Sequence, residues 1–126
     1  MLIMGSVVLG VSDMRRAAAL RMEALGHVPR DRIEDDWVVR VPPGRAAGPG
    51  LSLGPSETPV QEHPRVQGDL YTADAAQAAE VERLVGLGAR HVEWDLYPED
   101  PDFVVPADPD GNRFRVVDTG RGAEGP

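Results

Sequence analysis

The chain contains no cysteine and no lysine. Without cysteine there are no disulfides, thiol nucleophiles or thiolate metal sites. All 13 basic residues are arginine, set against 21 acidic ones for a net charge of −8. That balance argues against nucleic acid and anionic membranes as partners, because both need clustered Lys and Arg. No apolar run approaches the roughly 20 residues that span a bilayer. The opening MLIMGSVVLGVSD lacks a basic n-region and a long apolar h-region, so it reads as a first strand and not as a signal peptide. The expectation is a soluble cytoplasmic protein. No phosphate loop, glycine fingerprint or Ser/His/Asp arrangement points to a chemistry. What remains is an ordinary globular composition, 41% hydrophobic and 27% charged, in a chain of 126 residues, the size of one domain.

The stretch FVVPADPDGNRFRVVD, residues 103–118, organises the rest. Phe103, Val104 and Val105 are β-prone. Asp108-Pro109-Asp110-Gly111-Asn112 is a turn, with Pro fixing φ and Gly supplying φ > 0. Phe114 to Val117 resumes a strand. An earlier stretch, strand 36–41 followed by Pro43-Gly44 and a short strand at 51–53, has the same layout.

In chain order, residues 6–11 read as a strand. Ser12 or Asp13 caps a helix over 14–25, with Met14, Ala17, Ala18 and Leu25 on one face and Gly26 as its end. A polar connection over 27–34 begins with a short strand. Residues 42–50 form a Pro/Gly/Ala loop, and 54–64 a linker with three prolines. A strand over 65–71 follows. Thr72 or Asp74 caps a second helix over 75–87, with Ala78, Val81, Leu84 and Val85 on one face and Gly88 as its stop. Residues 90–96 alternate, with His91, Glu93 and Asp95 on one face and Val92, Trp94 and Leu96 on the other, as a half-buried strand does. Residues 97–102 are a turn, and 121–126 a disordered tail.

Each half therefore reads β-α-β-β-β. Module one covers about 5–53, the linker 54–64 and module two about 65–118, in one domain over 1–120. A half of about 55 residues exposes one sheet face and closes no core alone. The expected fold is α+β: two βαβββ modules forming a curved mixed sheet around a cleft, with helices on the outer face.

Three stretches carry a resemblance: Val8-Leu9-Gly10-Val11-Ser12-Asp13, Ala24-Leu25-Gly26, and Asp108-Pro109-Asp110-Gly111-Asn112-Arg113-Phe114. Over residues 5–118 the chain resembles the vicinal oxygen chelate superfamily of glyoxalases, bleomycin-resistance proteins, fosfomycin-resistance enzymes and extradiol dioxygenases. Its nearest flavour is the small glyoxalase-like group. The resemblance implies paired modules and a homodimer. In metal-dependent members it also implies a His or Gln on the first strand, a His opening module two and a Glu on the last strand. Carried over, these positions are Ser6, Gln67 and Arg115. A divalent cation within ~4 Å of a guanidinium meets several kcal/mol of repulsion at an effective dielectric near 20. No metal and no cofactor is expected.

Period 2 places Gln67, Asp69 and Tyr71 on one strand face, and Arg113, Arg115 and Val117 on another. Asp69 and Arg115 either form an ion pair of the fold or meet a ligand, Arg115 binding an anionic or carbonyl-bearing group. Trp37 and Trp94 are either core or stacking surfaces. Asp69 is the best candidate general base. His27, His63 and His91 read as solvated surface residues. The expected function is binding of a small organic molecule, an antibiotic or metabolite, in a metal-free cleft. The alternatives are a lyase, isomerase or dioxygenase-type enzyme using Asp69 or a non-standard metal site, and a degenerate copy that serves dimerisation.

Overall fold

A computed structural model describes residues 1–2, 4–29, 38–41, 50–73 and 75–120. The chain divides into two compact units, Met1–Pro59 and Val60–Pro126. Each has its own helix; the first carries a four-stranded sheet, the second a three-stranded and a two-stranded one.

In the first unit, β1 (Ser6–Val11) leads into α1 (Met14–Leu25), then β2 (Val28–Pro29), β3 (Val38–Val41) and β4 (Gly50–Pro55). The strand order is β1-β4-β3-β2. β1 pairs with β4 in parallel, and the other pairs are antiparallel. Local chemistry sets the ends of α1. The Asp13 carboxylate accepts from the Arg16 N–H, which the first turn leaves without an intrahelical partner. Gly26 ends the helix at φ 65°, a left-handed conformation that side chains disfavour. Of the expected apolar face, Met14, Ala17 and Ala18 are buried, together with Leu20 and Arg21, while Leu25 is half-buried. Val11, Met14, Ala17, Ala18 and Leu53 form one core cluster. Leu53 is fully buried, which is worth about 1.5–3 kcal/mol of transfer free energy.

In the second unit, β5 (Asp69–Tyr71) is followed by α2 (Gln77–Gly86), β6 (Arg90–His91), β7 (Phe103–Val104), β8 (Pro106–Ala107) and β9 (Arg115–Val117). β5 pairs with β9 in parallel, and β9 with β7 antiparallel. β8 pairs with β6. With β7 and β8 taken as one interrupted strand, this is the connectivity of the first unit. The interruption has a local cause: the Val105 N–H donates to the Tyr97 hydroxyl at 2.8 Å and not to a strand.

The hairpin forms as its sequence predicts. Phe103 faces Val117, Val104 faces Val116, and Ala107 bridges to Arg113, all in one register. At its tip the buried Asp108 accepts from the N–H groups of Asp110 and Asn112 at 3.0 and 2.9 Å. Gly111 sits at φ 91°. An Asx-type cap and a glycine in the left-handed region are what DPDGN supplies.

The remaining elements of this unit are shorter than their periodicity suggests. The strand expected over 65–71 is confined to Asp69–Tyr71, because its partner β9 has three residues. The strand expected over 90–96 is confined to Arg90–His91, although burial still alternates: Val92 and Trp94 are half-buried, His91, Glu93 and Asp95 exposed. Leu96 breaks the pattern and is exposed. α2 starts at Gln77 with Ala76 as its N-cap and no side-chain cap, so Thr72 does not cap it, and Asp74 lies outside the described residues. Only Val81 and Leu84 of its expected face are buried. Its end is a Schellman motif: the Ala89 N–H reaches Leu84 O and the Gly88 N–H reaches Val85 O, with Gly88 at φ 115°. Among the described residues, no helix is long and apolar enough to cross a membrane.

Candidate functional site

The site grows out of the register of β9. Phe114 and Val116 are buried, so Arg113, Arg115 and Val117 take the opposite face. In the parallel ladder Asp69 lies directly beside Arg115, and Tyr71 beside Val117. In the antiparallel ladder Phe103 lies beside Val117. Asp69, Tyr71, Phe103, Arg115 and Val117 thereby share one face, although Asp69 and Phe103 are far apart in sequence.

Asp69 and Arg115 form a bidentate pair. Arg115 Nε donates to Asp69 Oδ1 at 2.7 Å and Nη2 to Oδ2 at 2.6 Å. The guanidinium carbon stands 4.7 Å from the centre of the Phe103 ring, in cation–π range. Phe103 is in turn 5.3 Å from the Tyr97 ring. The Arg115 and Asp69 side chains are 34% and 30% exposed, so the pair is open to a solute. Hydrogen bonding to Asp69 raises the Arg115 pKa above its ordinary value, and a guanidinium is charged at every physiological pH in any case. Tyr71, at 69% exposure, borders the pair.

Arg113, two residues earlier, does a different job. Its Nη1 donates to the carbonyls of Glu62 and Glu93 at 2.9 and 3.3 Å, and its guanidinium lies 5.9 Å from the Trp94 ring. His63 closes this cluster. Its Nε2 is 2.6 Å from Asp95 Oδ1, and its ring is 5.3 Å from Trp94. The hydrogen bond from His63 holds the Asp95 carboxyl below the usual carboxylate range. His63, expected as a solvated histidine, is therefore engaged on two sides. His91 is exposed, with Nε2 3.6 Å from a Glu82 carboxylate oxygen. Trp94, left open between core and stacking surface, is half-buried beneath Arg113.

The other expected site residues fall elsewhere. Ser6 lies in the first unit, where its hydroxyl is 2.6 Å from the hydroxyl of Ser52. Gln67 is exposed and precedes β5. Trp37 lies outside the described residues. Phe103 and Tyr97 were not expected on this face. The hairpin register would have found Phe103, because the residue facing Val117 must share the face of Arg115. Nothing in the sequence pairs the Tyr97 hydroxyl with Val105.

The three positions carried over from metal-dependent proteins make a poor donor set for a divalent ion. Ser6 offers a hydroxyl already bonded to Ser52, Gln67 one amide oxygen, and Arg115 a cation bound to Asp69. Among the described residues, no group of three or more His, Asp or Glu side chains is placed to hold a metal ion.

Solved structures share the fold. A glyoxalase/bleomycin resistance protein/dioxygenase family enzyme from Burkholderia phytofirmans superposes with a TM-score of 0.69 at 12% identity, over 93% of this chain and 98% of that one. A fosfomycin resistance protein of Listeria monocytogenes, solved with Mn(II) and a dihydroxypropylphosphonic acid, gives 0.68 at 13% identity over 93% and 90%. An antibiotic-binding protein from a Streptomyces species gives 0.58 at 19% identity over 94% and 96%. Identities this low show the fold alone. No curated protein matches in sequence. The model of the glyoxalase-like domain matches residues 6–117, and the chain belongs to that family.

Proposed function

We propose that this protein binds a small organic molecule, an antibiotic or metabolite, on the Asp69–Arg115 face of its second unit, and does so without a resident metal. The observation that carries this reading is the preset guanidinium. Asp69 fixes its orientation, Phe103 covers one of its faces, and the side chain still reaches solvent. A held fork of N–H donors beside exposed aromatic surface has the makings of a recognition site for an oxygen-bearing ring. Tyr71 supplies further stacking surface, and Arg113 with Trp94 supports the adjoining segment. The antibiotic-binding relative in Streptomyces lends the fold a precedent for binding.

Catalysis with Asp69 as general base is the second reading. The pair weighs against it. Both carboxylate oxygens already accept from Arg115, so only their remaining lone pairs are open to a substrate proton. Arg115→Met should leave a folded protein, because a pair one-third open to solvent contributes about 0–1 kcal/mol. It should lose binding of aromatic ring compounds in a ligand screen read by thermal shift and by NMR of the Tyr71 and Phe103 rings. Hits that bind wild type and variant alike, with no shift at those rings, would remove this face from consideration. A homodimer is the proposed assembly, on the strength of the family resemblance, and sedimentation equilibrium decides it.

A further inference from the structure

The charge balance around Arg115 narrows the class of ligand, given the reading of this face as a binding surface. A guanidinium carries five N–H donors in a fixed fork. Asp69 takes the side formed by Nε and one Nη2 hydrogen. Among the described residues, no hydrogen bond engages Nη1, so the end-on edge of Nη1 and the second Nη2 hydrogen is left for a solute. That edge donates two parallel hydrogen bonds in the plane of a ring seated beside it.

The edge does not bring a net positive charge with it. Asp69 cancels Arg115 at contact distance. Asp102 is a second carboxylate within electrostatic reach of Arg115. Asp95 is within electrostatic reach of Arg113. Two arginines thus stand among three aspartates, within a chain of net charge −8. A carboxylate on the ligand would meet donors but also Asp69, close behind them. A neutral carbonyl meets the same donors without the repulsion.

We infer that the exposed edge of Arg115 recognises neutral, planar, carbonyl-bearing aromatic compounds over the corresponding carboxylates, with Asp69 as the residue that rejects the anion.

Two probes with one ring system test this: 2-naphthamide and 2-naphthoate, titrated into the intact protein at neutral pH and low salt, with binding followed by NMR. Wild type should bind the amide at least about tenfold more tightly, the factor that corresponds to 1.4 kcal/mol. Asp69→Asn keeps the shape and one acceptor while freeing the charge of Arg115, and it should reverse the order. Asp102→Asn, farther from the fork, should move the ratio in the same direction by less. Tighter naphthoate binding by wild type, or a ratio that neither variant moves, would overturn the charge selection and leave the binding surface standing. Binding of neither probe would overturn the surface and the selection together. The wild-type ratio needs no variant to fold.

Discussion

The two units are built on one plan and diverge on one face. Each joins its first and last strands in parallel, β1 to β4 and β5 to β9. In each, the last strand donates to the carbonyl preceding its partner: the Gly50 N–H to Gly5 O, the Arg115 N–H to Gly68 O. Matching by that pattern puts Ser6, Val8, Gly10, Gly50, Ser52 and Gly54 of the first unit on the ladder face that carries Asp69, Tyr71 and Arg115 in the second. Apart from the exposed Val8, the first face carries only small residues, with a hydroxyl pair between Ser6 and Ser52. A Cβ on Gly10 would come within 2.6 Å of Ser56 Cβ, so the first unit has no room there for a larger side chain. The other face is long, charged and aromatic. The strand pairing is the same in both units, while the side chains on this one face differ in size and charge.

Four substitutions probe that contrast. The largest effects should fall on what the units share. Leu53→Ala in the first core should cost about 2–5 kcal/mol, and Phe114→Ala, on the buried face of the second, about 3–5 kcal/mol, both read by chemical denaturation. If the units unfold separately, each variant should shift one transition and leave the other in place. A single shared shift would show that they fold cooperatively. Ser52→Ala should cost about 0.5–1.5 kcal/mol, because it removes the hydroxyl pair with the half-buried Ser6, whose hydroxyl keeps the Val7 carbonyl. By contrast, Arg115→Met should cost at most about 1 kcal/mol in stability. If Arg115→Met proves the more costly, the second face is structural after all.

The smallest effect is a titration. His63 holds the Asp95 carboxyl below its ordinary value. A carboxyl lowered in the folded state adds stability above the unfolded pKa, and that contribution is lost as pH falls through the folded value. His63→Ala should therefore raise the Asp95 midpoint toward its ordinary value, as followed by carboxyl ¹³C shifts, and should flatten the acid limb of stability slightly. An unmoved midpoint would detach His63 from the Trp94–Arg113 cluster.

Features governed by short-range chemistry were legible in the chain. β1 falls over its β-prone stretch and α1 where Asp13 and Gly26 put it, because a cap acts within one helical turn. The DPDGN tip forms because Asp108 and Gly111 supply its hydrogen bonds and its φ. Pairing lengths were less legible. A strand persists only as far as its neighbour, so β5 and β6 are shorter than their own sequences suggest. Residues 92–95 keep their alternation outside any strand, and the Glu93 carbonyl accepts from Arg113 instead.

By itself, then, the sequence determined the order of elements, the repeat, the turn chemistry and a list of polar residues on two strand faces. For Asp69 and Arg115 it allowed both an ion pair and a ligand contact. Tertiary structure decided that the two meet edge to edge, that Phe103 lies against the guanidinium, and that Ser6 turns to Ser52. The reason is register. Strand pairing has a period of two and a partner tens of residues away, so a shift of one residue would have sent Arg115 into the core and Val116 out to the solute.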